Sequence, residues 1–161
     1  MDNVFYVLHD QQKQALQALS TYKNIVNTII FQAYVIDSKG NVSGDADKAV
    51  IEFGKSNHIR LMPMVTNSKF DAKLTHQFLS NPDAKKLALN TLLAACKKNR
   101  FYGIQFDFEM IPLTDKKLLT DFYQEAADLF HKNNFVISFA IAPTLMDNHF
   151  PTEYQDRKSV V

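Results

Sequence analysis

The sequence predicts an α/β fold with a mainly parallel sheet, and three observations predict it. The apolar period switches repeatedly between two and about 3.6 along the chain. Runs rich in β-branched and aromatic residues are separated by stretches of helical periodicity. Turn and cap residues such as Asp37-Ser38-Lys39-Gly40 and Asn81-Pro82 fall at the switches. Strands joined through helices need right-handed crossovers, which lay them parallel in one sheet. At this level an open sheet and a closed barrel both remain open.

The elements follow in order. Residues 4–8 read as a strand, and Leu16, Leu19 and Tyr22 recur at helical spacing after Asp10, a candidate cap. Residues 28–36 form a long second strand. Asp45 or Asp47 caps a helix carrying Ala49, Val50 and Phe53, which ends near Asn57-His58. The third strand is 59–65, where Pro63 cannot donate to a ladder and so predicts a strand end or bulge. After the polar stretch 66–73, Leu74, Phe78 and Leu79 suggest a short helix, and Asn81-Pro82 opens another that runs to about residue 99. Residues 101–110 are the fourth strand. Residues 115–132 form a helix with Leu118, Leu119, Phe122, Ala126, Leu129 and Phe130 inward, and 135–142 are the fifth strand.

A chain of 161 residues suits one domain spanning 1–161 and can bury a substantial core. Apolar residues make up 46% and charged residues 22%, the composition of a globular chain and not of a disordered one. Eighteen basic and 17 acidic residues leave a formal charge of +1, so no strong field favours nucleic acid or an anionic membrane. No segment approaches the roughly 20 apolar residues that cross a bilayer. The lone Cys96 sits in the apolar helical run 92–95, where a buried structural thiol is expected. The five histidines lack metal-ligand spacing, and neither a phosphate-cradling glycine loop nor a nucleophile elbow is present, so no metal and no cofactor are assigned.

The fourth strand carries the chemistry. From Gly103 the odd positions are Gly, Gln, Asp and Glu, while Tyr102, Ile104, Phe106, Phe108 and Met110 are apolar or aromatic. Side chains on a strand alternate between faces, so one face is apolar and the other grows acidic toward its C-terminal end. In an open parallel sheet both faces lie under helices, and burying unpaired carboxylates there costs several kcal/mol each. A barrel resolves the conflict, because its inner face presents polar groups at the C-terminal mouth. Asp107 and Glu109 then sit about 6.7 Å apart along one face. Their mutual repulsion and an apolar surround raise the pKa of Glu109, which suits a proton donor near neutral pH.

The run Tyr-Gly-Ile-Gln-Phe-Asp-Phe-Glu at positions 102–109 resembles the Asp-Gly-x-Asp-x-Asp-x-Glu signature on the fourth strand of family 18 glycoside hydrolases. The last Asp and the Glu match at Asp107 and Glu109, while Tyr102 and Gln105 replace the first two acids. That replacement bears on the charge relay the family assigns to the middle Asp, although Gln105 can hydrogen-bond Asp107. The amide there, with the stretches 34–37 and 62–67, resembles the branch related to spore-cortex peptidoglycan hydrolases. The resemblance implies a (β/α)8 TIM-type barrel and cleavage of β-1,4-linked N-acetylglucosamine polymers, chitin or peptidoglycan, by substrate-assisted retaining catalysis. It also implies a secreted or cell-envelope location. In it the substrate's acetamido oxygen is the nucleophile, Asp107 orients the acetamido group, and Glu109 acts as acid and then as base.

Lesser candidates for sugar contact are Gln105, Tyr34 on the second strand, Asn67 just after the third, and Ala142 at the mouth end of the fifth, where Ser138, Ala140 and Ala142 put small side chains inward. A full barrel needs eight strands and about 250 residues, whereas this chain has about five β/α units and no tryptophan. The chain is therefore expected to be an incomplete barrel, with truncation favoured over a partner-completed or open-sheet domain. Open sheet edges then predict self-association. A carbohydrate-binding domain without turnover is the alternative function, motivated by the two replaced acids and the missing strands.

Overall fold

The β-branched and aromatic runs fall on strands, and the intervals between them are helical. In the computed structural model, which describes residues 3–140, the elements are β1 (Val4–Val7), α1 (Gln12–Tyr22), β2 (Thr28–Ile36), β3 (Val42–Ser43), α2 (Lys48–Ser56), β4 (Arg60–Asn67), α3 (Ala72–Leu79), α4 (Pro82–Asn99), β5 (Gly103–Asp107), α5 (Lys116–Lys132) and β6 (Val136–Phe139). Strands β1, β2, β4, β5 and β6 lie side by side in that order and pair in parallel. The addition to the predicted set is β3, which runs antiparallel to the end of β2. Two residues are too few to show a period.

Caps fix the helix starts. The Asp47 carboxylate accepts from the Val50 N–H at 3.0 Å, and the Asn81 Oδ1 accepts from Asp83 and Ala84 at 3.1 and 3.2 Å, ahead of Pro82. Asp71 does the same for Leu74 at 2.8 Å. Asp10 does not cap: it lies in a 3-10 turn, His9–Gln11, and α1 starts at Gln12 without a side-chain cap. Tyr22 of α1 is exposed, not inward, and Leu19 carries the helix's burial.

Pro63 also departs from expectation. It lies inside β4, opposite Phe31 of β2. Leu61 points to the same side of β4 as Pro63 and gives its carbonyl to the Tyr102 N–H. Registered pairing with β5 starts only at Met64, so the missing N–H falls at the start of that ladder and needs no bulge.

The two faces of the sheet are distinct. Ile29, Phe31, Leu61, Val65, Ile104, Phe106 and Ile137 pack outward with Leu89, Leu92, Phe122 and Phe130 of the helices in one large core. Ile30, Met62 and Met64 form a separate small cluster on the other face. The Gln105 Nε2 on β5 donates to the Tyr6 hydroxyl on β1 at 3.1 Å, although β2 and β4 lie between those strands. In a flat sheet the two strands stand about 14 Å apart with parallel side-chain directions. Their contact therefore requires the sheet to curl, with the Gln105 face concave. The fold is an arc of a parallel β/α barrel, as the strand alternation predicts.

An aromatic cluster anchors the arc. Phe106 and Phe108 on the outer face of the β5 segment meet Phe122 of α5 at centroid distances of 5.4 and 5.6 Å, and Phe78 of α3 meets Phe122 at 5.2 Å. Phe122→Ala is predicted to lower the unfolding free energy by about 3–5 kcal/mol. Lys117→Ala, which removes an exposed Lys117–Asp121 ion pair on the same helix, is predicted to change it by less than about 1 kcal/mol. Urea denaturation of both variants checks this contrast.

Candidate active site

The site is built on the end of β5. Phe106 and Phe108 are fixed outward by the aromatic cluster, so the residues between and beside them turn to the concave face. Strand pairing with β4 ends at Thr66 opposite Asp107. Glu109 lies two residues beyond Asp107, past the last residue of β5. Asp107 is half-buried and Glu109 is exposed.

Electrostatics separate these groups from ordinary surface acids. Burial raises the pKa of the Asp107 carboxyl above the usual carboxylate range. Burial also raises that of Glu109, and the nearby Asp107 charge adds to the effect. Among the described residues, no cationic side chain forms a salt bridge with either carboxylate. The pair thus has the two ingredients of a carboxylic acid held protonated above its ordinary range: partial desolvation and a like charge on the same face.

Gln105 occupies the floor beneath them. It is 4% exposed, and its Nε2 donates to the Tyr6 hydroxyl at 3.1 Å and the Ser138 hydroxyl at 3.2 Å. It does not bond Asp107 as the sequence suggested, because its amide nitrogen is turned toward Tyr6 on β1, across the curled sheet, and Ser138 on the adjacent β6. Its Oε1 is buried without a hydrogen-bond partner among the described residues. Exchanging the amide oxygen and nitrogen would let both hydroxyls donate to the oxygen, but would then orphan the nitrogen.

Asn67 is brought beside Glu109, though not as a free amide. Its Oδ1 accepts from the Glu109 N–H at 3.0 Å, and its Nδ2 donates to the Glu109 carbonyl at 2.9 Å and to the Thr75 hydroxyl oxygen at 2.8 Å. Both amide hydrogens are engaged and the residue is 3% exposed, so what it offers the site is a grip on the Glu109 backbone.

Tyr34 is not at the mouth. A register shift between Gln32 and Tyr34 inserts a bulge in β2 and reverses which residues face the helices. Tyr34 therefore joins Ile29, Phe31 and Ile36 in the outer core, 8% exposed. Burial, with the Cys96 and Asp45 charges, pushes its hydroxyl pKa up. Gly44, at φ +88, covers the bulge: a Cβ on Gly44 would stand 2.3 Å from the Ala33 carbonyl oxygen. Cys96 is buried with its thiol 3.8 Å from the Gly103 carbonyl, and burial pushes its pKa up to about 12, which leaves it without nucleophilic character. Ala142 lies outside the described residues.

Two groups near the acids were not singled out from the sequence. Tyr6 faces the concave side and bonds Gln105, a placement that strand alternation in β1 allows but that only the curvature brings across to β5. Thr66 stands in register with Asp107, and continuing the β4 alternation one step past Met64 would have found it. A surface hollow of about 350 Å³ lined by Lys55, Ile59, Arg60, Leu61, Arg100, Phe101 and Tyr102 sits at the opposite, N-terminal ends of β4 and β5, away from the carboxylates.

No family model matches the chain. It is 26% identical over 122 residues, 73% of its length, to the uncharacterized glycosylase YvbX of Bacillus subtilis, and 28% identical over 134 residues, 81% of its length, to the cortical fragment-lytic enzyme of the same organism. It spans 36% and 30% of those two proteins, about a third of their length. The spore cortex-lytic enzyme SleL of Bacillus megaterium superposes with a TM-score of 0.80 at 19% identity, over 95% of this chain and 37% of that one. A class V chitinase of Pseudomonas fluorescens gives 0.82 at 20% identity, over 96% and 50%. The chain is thus similar to chitinase-type and spore cortex-lytic glycosylases, as the resemblance of residues 102–109 to family 18 implied, and its fold is a segment of their barrel.

The two raised carboxyls have a measurable signature. Each binds a proton in the folded chain at pH values where the unfolded chain has lost it, so the stability they contribute is present at low pH and is lost as pH rises through their raised pKa values. Asp107→Asn removes the charge next to Glu109, so the Glu109 titration midpoint is predicted to move down toward the ordinary glutamate range, as followed by the side-chain carboxyl carbon resonance in NMR.

Proposed function

We propose that this chain carries the acid–base centre of a glycoside hydrolase acting on polysaccharides that contain N-acetylglucosamine, with Glu109 as proton donor and Asp107 as its partner. The observation that carries the reading is the pair itself: Asp107 at the C-terminal end of β5 and Glu109 two residues beyond it, both with raised pKa, and neither salt-bridged by a cation among the described residues. Acids that served only the fold would be paired or solvated into ordinary behaviour.

The chemistry needs one acid and one orienting carboxylate. Glu109 gives its proton to the glycosidic oxygen as the bond from that oxygen to the anomeric carbon breaks. The carbonyl oxygen of the substrate's own 2-acetamido group closes on the anomeric carbon from the other face and forms a cyclic oxazolinium. Asp107, deeper on the same face, accepts a hydrogen bond from the acetamido N–H and stabilises the positive charge that develops there. Glu109, now ionised, takes a proton from water as the water oxygen attacks the anomeric carbon and reopens the ring, which restores the original anomeric configuration. Gln105 cannot relay a proton, so its contribution is to support the inner face through Tyr6 and Ser138.

Binding without turnover is the second reading, favoured by Tyr102 and Gln105 standing where the family signature has acids. Reducing-end release from chitin oligosaccharides and from spore-cortex peptidoglycan separates the two, with isothermal calorimetry on the same ligands. The hydrolase reading predicts turnover that falls about 10²–10⁴-fold in Glu109→Gln, with binding retained. Turnover unchanged in that variant removes Glu109 from the mechanism, and binding with no turnover in the wild-type chain supports the second reading.

A further inference from the structure

We propose that Asn67 is the positioning residue for Glu109: it substitutes for the strand neighbour that β4 no longer supplies, and Thr75 braces it from α3. This rests on the reading of Glu109 as proton donor. The pairing of β4 with β5 ends at Thr66 and Asp107. Past that point the Glu109 peptide groups would face no backbone partner on the β4 side. The Asn67 side chain carries an acceptor and donors on one planar amide. It takes the Glu109 N–H at 3.0 Å and gives to the Glu109 carbonyl at 2.9 Å. Two bonds to one residue's N–H and C=O reproduce the hydrogen-bonding of a ladder rung with a side chain.

The amide is itself held. Its second hydrogen goes to the Thr75 hydroxyl oxygen at 2.8 Å, and that hydroxyl donates to the Asp71 carbonyl at 2.8 Å. Thr75 is 2% exposed, so the brace excludes water. The next residue of α3, His76, grips the far end of the same loop through its Nδ1 and the buried Asp115 carboxylate at 2.8 Å. The segment that carries Glu109 is therefore tied to α3 at both ends.

Two further features require such a grip. Phe108 stacks on Phe122 with the ring planes 7° apart, so the residue before Glu109 is locked outward. Met110, the residue after it, has φ +56, a left-handed backbone that costs a residue with a side chain about 1–2 kcal/mol. Met110 is itself 68% exposed and packs against little that would hold it there. The turn persists because Glu109 is pinned before it and Ile111, 4% exposed, is buried after it. With no hydrogen left for a ligand, Asn67 acts on the reaction through Glu109.

The test uses the full chain and three variants: Asn67→Ala, Asn67→Asp and Thr75→Val. Asn67→Ala removes the rung. Exchange of the Glu109 amide hydrogen is expected to rise on the order of tenfold relative to the Phe106 amide. The freed carboxyl moves away from Asp107 and into solvent, so its titration midpoint falls. In the hydrolysis assay kcat drops, up to about 10²-fold, with KM within about twofold. Asn67→Asp keeps the acceptor for the Glu109 N–H but adds a third carboxylate, so amide protection is retained and the Glu109 midpoint rises. The fall of the midpoint in Asn67→Ala is the signature of positioning, since a side chain serving only stability would leave it unmoved; the rise in Asn67→Asp follows from the added charge and reports that position 67 still lies beside Glu109. Thr75→Val keeps the rung and loses the brace, giving a smaller rise in exchange, and it serves if Asn67→Ala fails to fold. Wild-type exchange and titration in a folded Asn67→Ala, or in Thr75→Val if only that variant folds, overturns the proposal, as does loss of amide protection with kcat unchanged. A wild-type chain without turnover, or Glu109→Gln with full turnover, overturns the hydrolase reading alone, because exchange and titration report on the grip without any assay.

Discussion

Two carboxylates kept partly out of water, close to one another and without a basic partner among the described residues, are an unfavourable arrangement, and the β5 region is organised around sustaining it. Desolvation and the Asp107 charge raise the pKa of Glu109, so the protein bears a cost that a lysine opposite would remove. Structure elsewhere must supply the difference. It comes from apolar burial on the other side of the same strand, where Phe106, Phe108, Phe122 and Phe78 interlock. The strict alternation of residues 102–110 thus carries two jobs on opposite faces: the aromatic one stabilises the strand, and the acidic one is held in place by it.

Curvature makes the second face usable. A flat parallel sheet buries both faces under helices, whereas the contact between Gln105 and Tyr6 across two intervening strands shows that this sheet curls into an arc. The concave side is lined by Ile30, Met62 and Met64 and, at its acidic end, by Gln105 and Asp107. The grip of Asn67 on Glu109 then extends order beyond the last strand pairing, where the proton donor proposed above must be both accessible and fixed.

Much of this was legible because it depends on local period. The strand at 28–36, the 103–107 centre of the strand expected at 101–110, the Asn81-Pro82 cap and the buried Cys96 all follow from neighbours in sequence, and the acid pair follows from alternation, although the strand ends at Asp107 before reaching Glu109. What was hidden depends on irregularities or on distance. The bulge between Gln32 and Tyr34 leaves no mark in a run where every residue suits a strand, yet it carries Tyr34 from the concave face into the helix-facing core. Asn67 was legible as a residue near the acids, but its bonds to Glu109 join positions 42 apart in sequence and make it a support for the backbone. Pro63 shows the opposite error: the rule that proline ends strands is sound, but here its missing N–H falls where the ladder to β5 has only begun.

The central claim is that the acidic end of the concave face receives the sugar. Titration of an isotope-labelled full chain with an N-acetylglucosamine oligomer, followed through its backbone amide resonances, tests this most directly. The account predicts that the largest shifts fall on residues 105–110, Asn67 and Tyr6, at the C-terminal end of β5. Shifts confined to the basic hollow of Lys55, Arg60 and Arg100 at the other end of the strands, or no shifts at all up to millimolar ligand, would contradict it.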